Sequence, residues 1–123
     1  MKQYVDWKDV EYFVNEVAHE YRTSQFDGVF GLPRGGLVFA VMLSHRLNLP
    51  LLTAPTNKSL IVDDICDSGE SLIHYIKNSS SEDKVKERPT VCTMYYKENK
   101  LGVVPDYYMF TKSDVWIVFP WEE

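Results

Sequence analysis

Over residues 7–21, apolar side chains fall at Val10, Phe13, Val14, Val17, Ala18 and Tyr21, with Lys8, Asp9, Glu16 and Glu20 on the other side. That spacing predicts an amphipathic helix. Asp27-Gly28 breaks the pattern, and Val29-Phe30-Gly31-Leu32 reads as a short buried strand. Pro33-Arg34-Gly35-Gly36 is a turn, after which residues 37–47 run apolar at helix-compatible spacing up to Asn48-Leu49-Pro50. Leu60-Ile61-Val62 is a second fully apolar strand, ending in Asp63-Asp64-Ile65-Cys66-Asp67-Ser68-Gly69. Residues 70–77 resume helical spacing through Leu72, Ile73 and Ile76, and residues 78–84 read as a solvated loop. Residues 90–96, 107–110 and 115–119 are rich in β-formers. Strands alternating with helices predict an α/β sandwich with a largely parallel central sheet flanked by helices. No repeat, low-complexity tract or linker divides the sequence, so one domain over residues 1–123 is expected.

Composition narrows the function classes. With 45% hydrophobic and 25% charged residues, the 123-residue chain is an ordinary globule and not a disordered one. No apolar run approaches the ~20 residues that span a bilayer, and Met1-Lys2-Gln3-Tyr4-Val5-Asp6 does not resemble a signal peptide. A net charge of −5, from 13 Lys+Arg against 18 Asp+Glu, is the wrong sign for gripping a nucleic-acid backbone. Cys66 and Cys92 make neither a disulfide framework nor a structural zinc site. Both lie in apolar stretches, read as small buried hydrophobes, and suit a reducing cytoplasm. His19, His45 and His74 each stand alone on a predicted helix and carry no site.

The chemistry concentrates where the two apolar strands end. Each runs into a turn rich in Gly, Asp or Ser and then a helix, the place where parallel sheets bind ligands and helix N-termini offer free N–H groups to anions. Asp67-Ser68-Gly69-Glu70-Ser71 supplies closely spaced amides, an unhindered glycine and two hydroxyls, a suitable phosphate cradle. Ahead of it, Asp63 and Asp64 would repel phosphate unless Mg²⁺ or sugar hydroxyls intervened. The economical ligand combines a phosphate, a diol and a metal: a ribose phosphate. No Gly-x-x-x-x-Gly-Lys-Ser/Thr run is present, which disfavours a P-loop nucleotidase.

The run Leu60-Ile61-Val62-Asp63-Asp64-Ile65-Cys66-Asp67-Ser68-Gly69-Glu70-Ser71 resembles the phosphoribosyl pyrophosphate signature of the type I phosphoribosyltransferases. Gly31-Leu32-Pro33-Arg34-Gly35-Gly36-Leu37 is similar to that family's pyrophosphate loop. Lys97, together with Trp116-Ile117 and Pro120-Trp121-Glu122, looks like the base-binding end of its xanthine-guanine branch. The resemblance covers about residues 5–123. It implies transfer of a ribose 5-phosphate group to a nitrogen of guanine, xanthine or hypoxanthine, with Mg²⁺ as cofactor and pyrophosphate as leaving group. Asp63 and Asp64 would hold the ribose hydroxyls and orient the metal through water or substrate. Asp67, Ser68, Gly69, Glu70 and Ser71 would cradle the 5-phosphate, while Arg34, Gly35 and Gly36 would receive pyrophosphate. Asp67 would also be the general base. Lys97 would donate to the 6-carbonyl of the purine, Trp116 would stack on it, and the backbone at Ile117 would read its far edge. The resemblance further implies a homodimer or larger homo-oligomer.

Three features depart from the family pattern. The long loop that covers the site in family members is reduced to residues 50–59, where Asn57 and Lys58 are the candidates to face pyrophosphate. Glu70 adds an acid to the phosphate turn, tolerable if its side chain points outward. Pro33 fixes the loop ahead of Arg34, since such loops often hold a cis bond and X-Pro bonds accept cis cheaply. The minimal hood leaves a second expectation open: a regulatory protein that binds phosphoribosyl pyrophosphate or a nucleotide without turnover.

Overall fold

A computed structural model describes residues 1–79 and 88–122. The elements run β1 (Lys2–Tyr4), α1 (Trp7–Glu20), a 3₁₀ turn (Thr23–Gln25), β2 (Gly28–Gly31), α2 (Leu37–Leu47), β3 (Ser59–Cys66), α3 (Glu70–Ser79), β4 (Thr90–Tyr96), β5 (Tyr107–Thr111), β6 (Trp116–Val118) and a closing 3₁₀ turn (Pro120–Glu122). α1 starts at a capping box: Asp6 accepts from the Asp9 amide at 2.9 Å, and Asp9 accepts from the Asp6 amide at 3.2 Å. Its apolar stripe, Val10, Phe13, Val14 and Val17, is fully buried, as the periodicity requires.

β2, β3, β4 and β5 form a four-stranded sheet in that order, every pair parallel. The crossover helices leave it covered on both faces, which is why its strands read as continuous apolar runs. On one face α1 and α2 close the larger core, in which Phe13 meets Phe39 edge-on at 5.2 Å. On the other, Leu72 of α3 packs with Phe30, Leu32, Ile61, Cys66 and Val91. Cys66 and Cys92 are free thiols buried in these clusters, as expected.

β3 outruns its apolar stretch. Pairing with β4 continues through Asp63↔Thr93, Ile65↔Tyr95 and Cys66↔Tyr96, so the acids lie inside the strand and not after it. The pleat also slips there. Leu60 and Val62 face the larger core and Ile61 the smaller, yet beyond the acids Ile65 faces the larger and Cys66 the smaller. β4 shows the same slip, with both Met94 and Tyr95 in the larger core.

β1 was not signalled by the sequence, because Lys2, Gln3 and Tyr4 are all exposed and show no alternation. It pairs in parallel with β6, and this two-stranded sheet anchors the C-terminal segment beside α1. Of the expected loop at 78–84, Asn78 and Ser79 instead end α3, bonding back to the His74 and Ile76 carbonyls at 2.8 and 2.7 Å. Residues 80–84 lie outside the described residues. His19, His45 and His74 are exposed.

The shortened loop corrects one expectation. Leu51 bridges to Val29 of β2, and the chain then returns through a turn in which the Lys58 carbonyl accepts from the Asp27 amide at 2.8 Å. Since Ser59 opens β3, Asn57 and Lys58 must sit at the amino ends of the strands, beside Gln25, Phe26, Arg88 and Thr90. They therefore lie at the opposite end of the sheet from Asp63 and Asp64 and do not face the pyrophosphate loop.

Candidate active site

Three adjoining clefts ring the carboxyl ends of β2, β3 and β4. The first belongs to the loop after β2. The Gly36 amide donates to the Leu32 carbonyl at 2.8 Å and the Leu37 amide to Arg34 at 3.1 Å, which starts α2. The peptide between Pro33 and Arg34 is cis, so the cis bond follows the proline instead of preceding it. Two close approaches require glycine. A Cβ on Gly36 would stand 2.3 Å from the Val62 carbonyl oxygen, and one on Gly35 would stand 2.2 Å from a carboxylate oxygen of Asp64. Arg34, Gly35 and Asp64, with Trp121 and Glu122 opposite, enclose about 560 Å³.

The second cleft, of about 150 Å³, is the turn between β3 and α3, lined by Asp63, Asp67, Ser68, Gly69 and Ser71 over Cys66 and Leu72. Gly69 has φ +83°, and a Cβ there would lie 2.6 Å from the Val103 Cβ. Val103 is itself held by Asn99, whose side chain accepts from the Val103 amide at 2.9 Å and donates to its carbonyl at 2.8 Å. The sequence did not signal Asn99 or Val103, because an Asx-type loop lock has no pattern beyond a single Asn. Glu70 is exposed and does not line the cleft; only its amide takes part, donating to the Ser68 hydroxyl at 3.3 Å.

Adjacent strand positions send the two acids to different clefts: Asp63 to the turn before α3, Asp64 to the Arg34 side. Burial, and then the neighbouring Asp64 charge, hold the Asp63 carboxyl well above the usual carboxylate range. Burial likewise pushes the Cys66 thiol up to about 11, with Asp63 and Asp67 adding to the effect. Cys66 is thus an inert thiol beneath the site.

The third cleft, of about 240 Å³, lies between β3 and β6. Asp64, Asp67, Trp116 and Ile117 line it, joined by Lys112, Val115 and Glu122. Trp116 is 69% exposed while Ile117 is buried, so the tryptophan ring is free for a ligand and not committed to the core. Lys97 stands beside this cleft: its ammonium bonds Asp114 at 2.5 Å and lies 4.0 Å from Asp67. Lys112, Asp114 and Val115 went unsignalled, because only the packing of the β5–β6 connection brings them to Asp67.

Among the described residues no three acidic, histidine or cysteine side chains are placed to hold a metal. Asp63 and Asp64 fit a hydrated ion that a polyphosphate ligand also carries, and not a site built from protein alone.

A parallel α/β sheet with an acid pair and two glycine-dependent loops at its carboxyl ends defines a class, and known proteins share it. No protein-family model matches the chain. The solved purine phosphoribosyltransferase of Pyrococcus horikoshii Ot3 superposes with a TM-score of 0.79 at 31% identity, covering 99% of this chain and 95% of that one. Curated relatives named xanthine-guanine phosphoribosyltransferase come from Idiomarina loihiensis, at 23% identity over 97% of this chain and 86% of theirs, and Chromohalobacter salexigens, at 25% over 96% and 82%. The chain belongs to the type I phosphoribosyltransferase family.

Proposed function

We propose that the chain is a Mg²⁺-dependent purine phosphoribosyltransferase of salvage type, moving ribose 5-phosphate from phosphoribosyl pyrophosphate to guanine, xanthine or hypoxanthine. The observation that carries this reading is the continuity of the three clefts, the first and third sharing Asp64 and the second and third sharing Asp67. The clefts supply, in order, an arginine for a leaving pyrophosphate, acids for a diol, amides for a phosphate and an aromatic face for a base.

In the reaction the C1–oxygen bond to pyrophosphate breaks, a C1–nitrogen bond to the base forms, and the proton of the base nitrogen passes to the Asp67 carboxylate. Asp67 lines both the phosphate and the base cleft, so one side chain reaches sugar and base together. The turn Asp67–Ser71 fixes the 5-phosphate, which sets C1 between base and leaving group; such positioning accounts for much of the rate. Asp63 and Asp64 accept hydrogen bonds from the ribose hydroxyls. Arg34 and the Gly35 amide meet the charge that develops on pyrophosphate, while the Gly36 amide, expected to join them, is instead committed to the Leu32 carbonyl and holds the loop. Bound Mg²⁺ supplies neutralisation of that same charge and orientation of the diol. Trp116 stacks on the purine, the Ile117 backbone reads its far edge, and Lys97 donates to its 6-carbonyl. The free buried thiols suit a reducing cytoplasm, and the exposed Leu37 and Val41 of α2 suit a homodimer or larger assembly.

One observation favours a second reading. Residues 50–59 keep to the amino ends of the strands, so they do not cover the site, and binding without turnover would describe a sensor of phosphoribosyl pyrophosphate or nucleotide. Incubation with phosphoribosyl pyrophosphate, Mg²⁺ and each of guanine, xanthine, hypoxanthine and adenine separates the two. Pyrophosphate release with at least one 6-oxopurine is expected. Tight binding with no release for any base favours the sensor.

A further inference from the structure

We propose that Asp114 is a positioning residue of the base site, drawing the Lys97 ammonium off Asp67 so that the Asp67 carboxylate stays free to take the proton of the incoming purine. This rests on the transfer reading above. Lys97 follows β4, and its amide donates to the Cys66 carbonyl at 2.9 Å, which fixes its backbone beside Asp67. Asp114 lies on the connection between β5 and β6, two residues before Trp116. The ammonium therefore stands between two carboxylates, 2.5 Å from Asp114 and 4.0 Å from Asp67. The first is a charge-assisted hydrogen bond; the second is beyond hydrogen-bond reach.

Electrostatics agrees with this ordering. Lys97 is held above its usual range by Asp114 foremost and by Asp67 least, and Lys97 holds the Asp114 carboxyl below the usual carboxylate range, with Lys112 adding. Asp114 is 92% exposed. Ion pairs so exposed contribute little to folding. What the pair does control is where a flexible ammonium points. Without Asp114, Lys97 would close on Asp67, occupy the carboxylate that is to take the proton, and be a poorer donor to the 6-carbonyl. The other charges around Asp67 are Asp63 and Asp64 on β3, Glu70 on α3, Glu98 beside Lys97, and Lys112 across the cleft; the Cys66 thiol lies beneath.

The test compares Asp114→Asn with Asp114→Glu. Asp114→Asn is expected to lower kcat about tenfold. It is also expected to raise KM for the base several-fold while leaving KM for phosphoribosyl pyrophosphate unchanged. Asp114→Glu restores most of the loss. Crystal structures of the ligand-free variants give a readout independent of turnover: in Asp114→Asn the Lys97 ammonium moves from 4.0 Å to within hydrogen-bond distance of Asp67, and in Asp114→Glu it keeps its wild-type place. An ammonium that stays off Asp67 in Asp114→Asn overturns the proposal, as does an unchanged kcat. Should the wild-type protein transfer nothing, the functional reading fails and the position of Lys97 in Asp114→Asn alone decides the role of Asp114.

Discussion

Gly35 and Gly36 are neighbours, and the structure predicts opposite consequences for adding a methyl group to each. The three atoms nearest a Cβ on Gly35 all belong to the Asp64 carboxylate, Oδ2 at 2.2 Å, Cγ at 2.5 Å and Oδ1 at 2.7 Å. Bringing these to van der Waals contact moves that carboxylate by about 1 Å, which a rotation of the side chain supplies at about 1 kcal/mol. The hydrogen bond it accepts from the Ile65 amide, 2.7 Å long, is lost or lengthened at a similar cost. The whole penalty is about 2 kcal/mol, or a fall in Tm of roughly 8 °C for a chain of this size. The functional penalty is larger, since a misplacement of about 1 Å in a reacting site costs about 100-fold. A Cβ on Gly36 instead meets backbone: the Val62 carbonyl at 2.3 Å and the Leu32 amide nitrogen at 2.8 Å. These two groups are hydrogen-bonded to each other at 3.0 Å and neither can rotate away. Forced separation of loop from strand costs upwards of about 3 kcal/mol. Thermal unfolding followed by circular dichroism, paired with steady-state transfer kinetics, measures both quantities. Gly35→Ala should keep most of the stability and lose about 100-fold in kcat/KM, whereas Gly36→Ala should fold poorly. A Gly35→Ala protein that keeps full kcat/KM, or that is destabilised as much as Gly36→Ala, would refute the assignment of Gly35 to the close approach on Asp64.

Other substitutions probe the remaining parts of the site. Asp67→Asn should reduce kcat by about 100-fold or more while binding of phosphoribosyl pyrophosphate changes little; equal losses in rate and binding would contradict its role as base. Gly69→Ala places a side chain at φ +83° and against Val103, so it should cost about 1–3 kcal/mol in thermal unfolding and raise KM for phosphoribosyl pyrophosphate more than KM for the base. Asp63→Asn should stabilise the ligand-free protein in a pH-dependent way. Because the folded protein holds the Asp63 proton more tightly than the unfolded chain does, stability is full in acid and declines as pH rises above the unfolded carboxylate range, by at most about 1.4 kcal/mol per pH unit. The Tm advantage of Asp63→Asn should therefore vanish near pH 4 and grow toward pH 8, and a constant difference across that interval would sink the argument.

Local patterns carried much of the fold. The apolar run after the first glycine turn gave α2 its full span, Leu37–Leu47, because the helix is apolar enough that its ends coincide with Gly36 and Asn48. The apolar stripe of α1 was equally legible, whereas its capping box at Asp6 and Asp9 was not read from the sequence. What escaped is what long-range pairing decides. β1 has no alternation to read, and only its partner β6 makes it a strand. β3 continues through two acids because β4 pairs with them, which no hydrophobicity pattern registers. The site followed the same division. That Gly35, Asp63, Asp64 and Asp67 gather at the carboxyl ends of β2 and β3 was legible because each lies within a few residues of a strand end. Asn57 and Lys58 were misplaced, since the direction a short loop takes depends on where the next strand begins. Lys97 was found but Asp114, 17 positions along, was not, because nothing local links a β4 lysine to the loop before β6.

The central claim is transfer of a phosphoribosyl group to a purine nitrogen, and it is tested most directly by identifying the product. Phosphoribosyl pyrophosphate, Mg²⁺ and one 6-oxopurine, followed by ³¹P and ¹H NMR in the presence of the protein, should yield pyrophosphate and a β-configured nucleoside 5′-monophosphate in equal amounts. Phosphoribosyl pyrophosphate that persists with every base, or that decays to ribose 5-phosphate at a rate independent of the base, would contradict it.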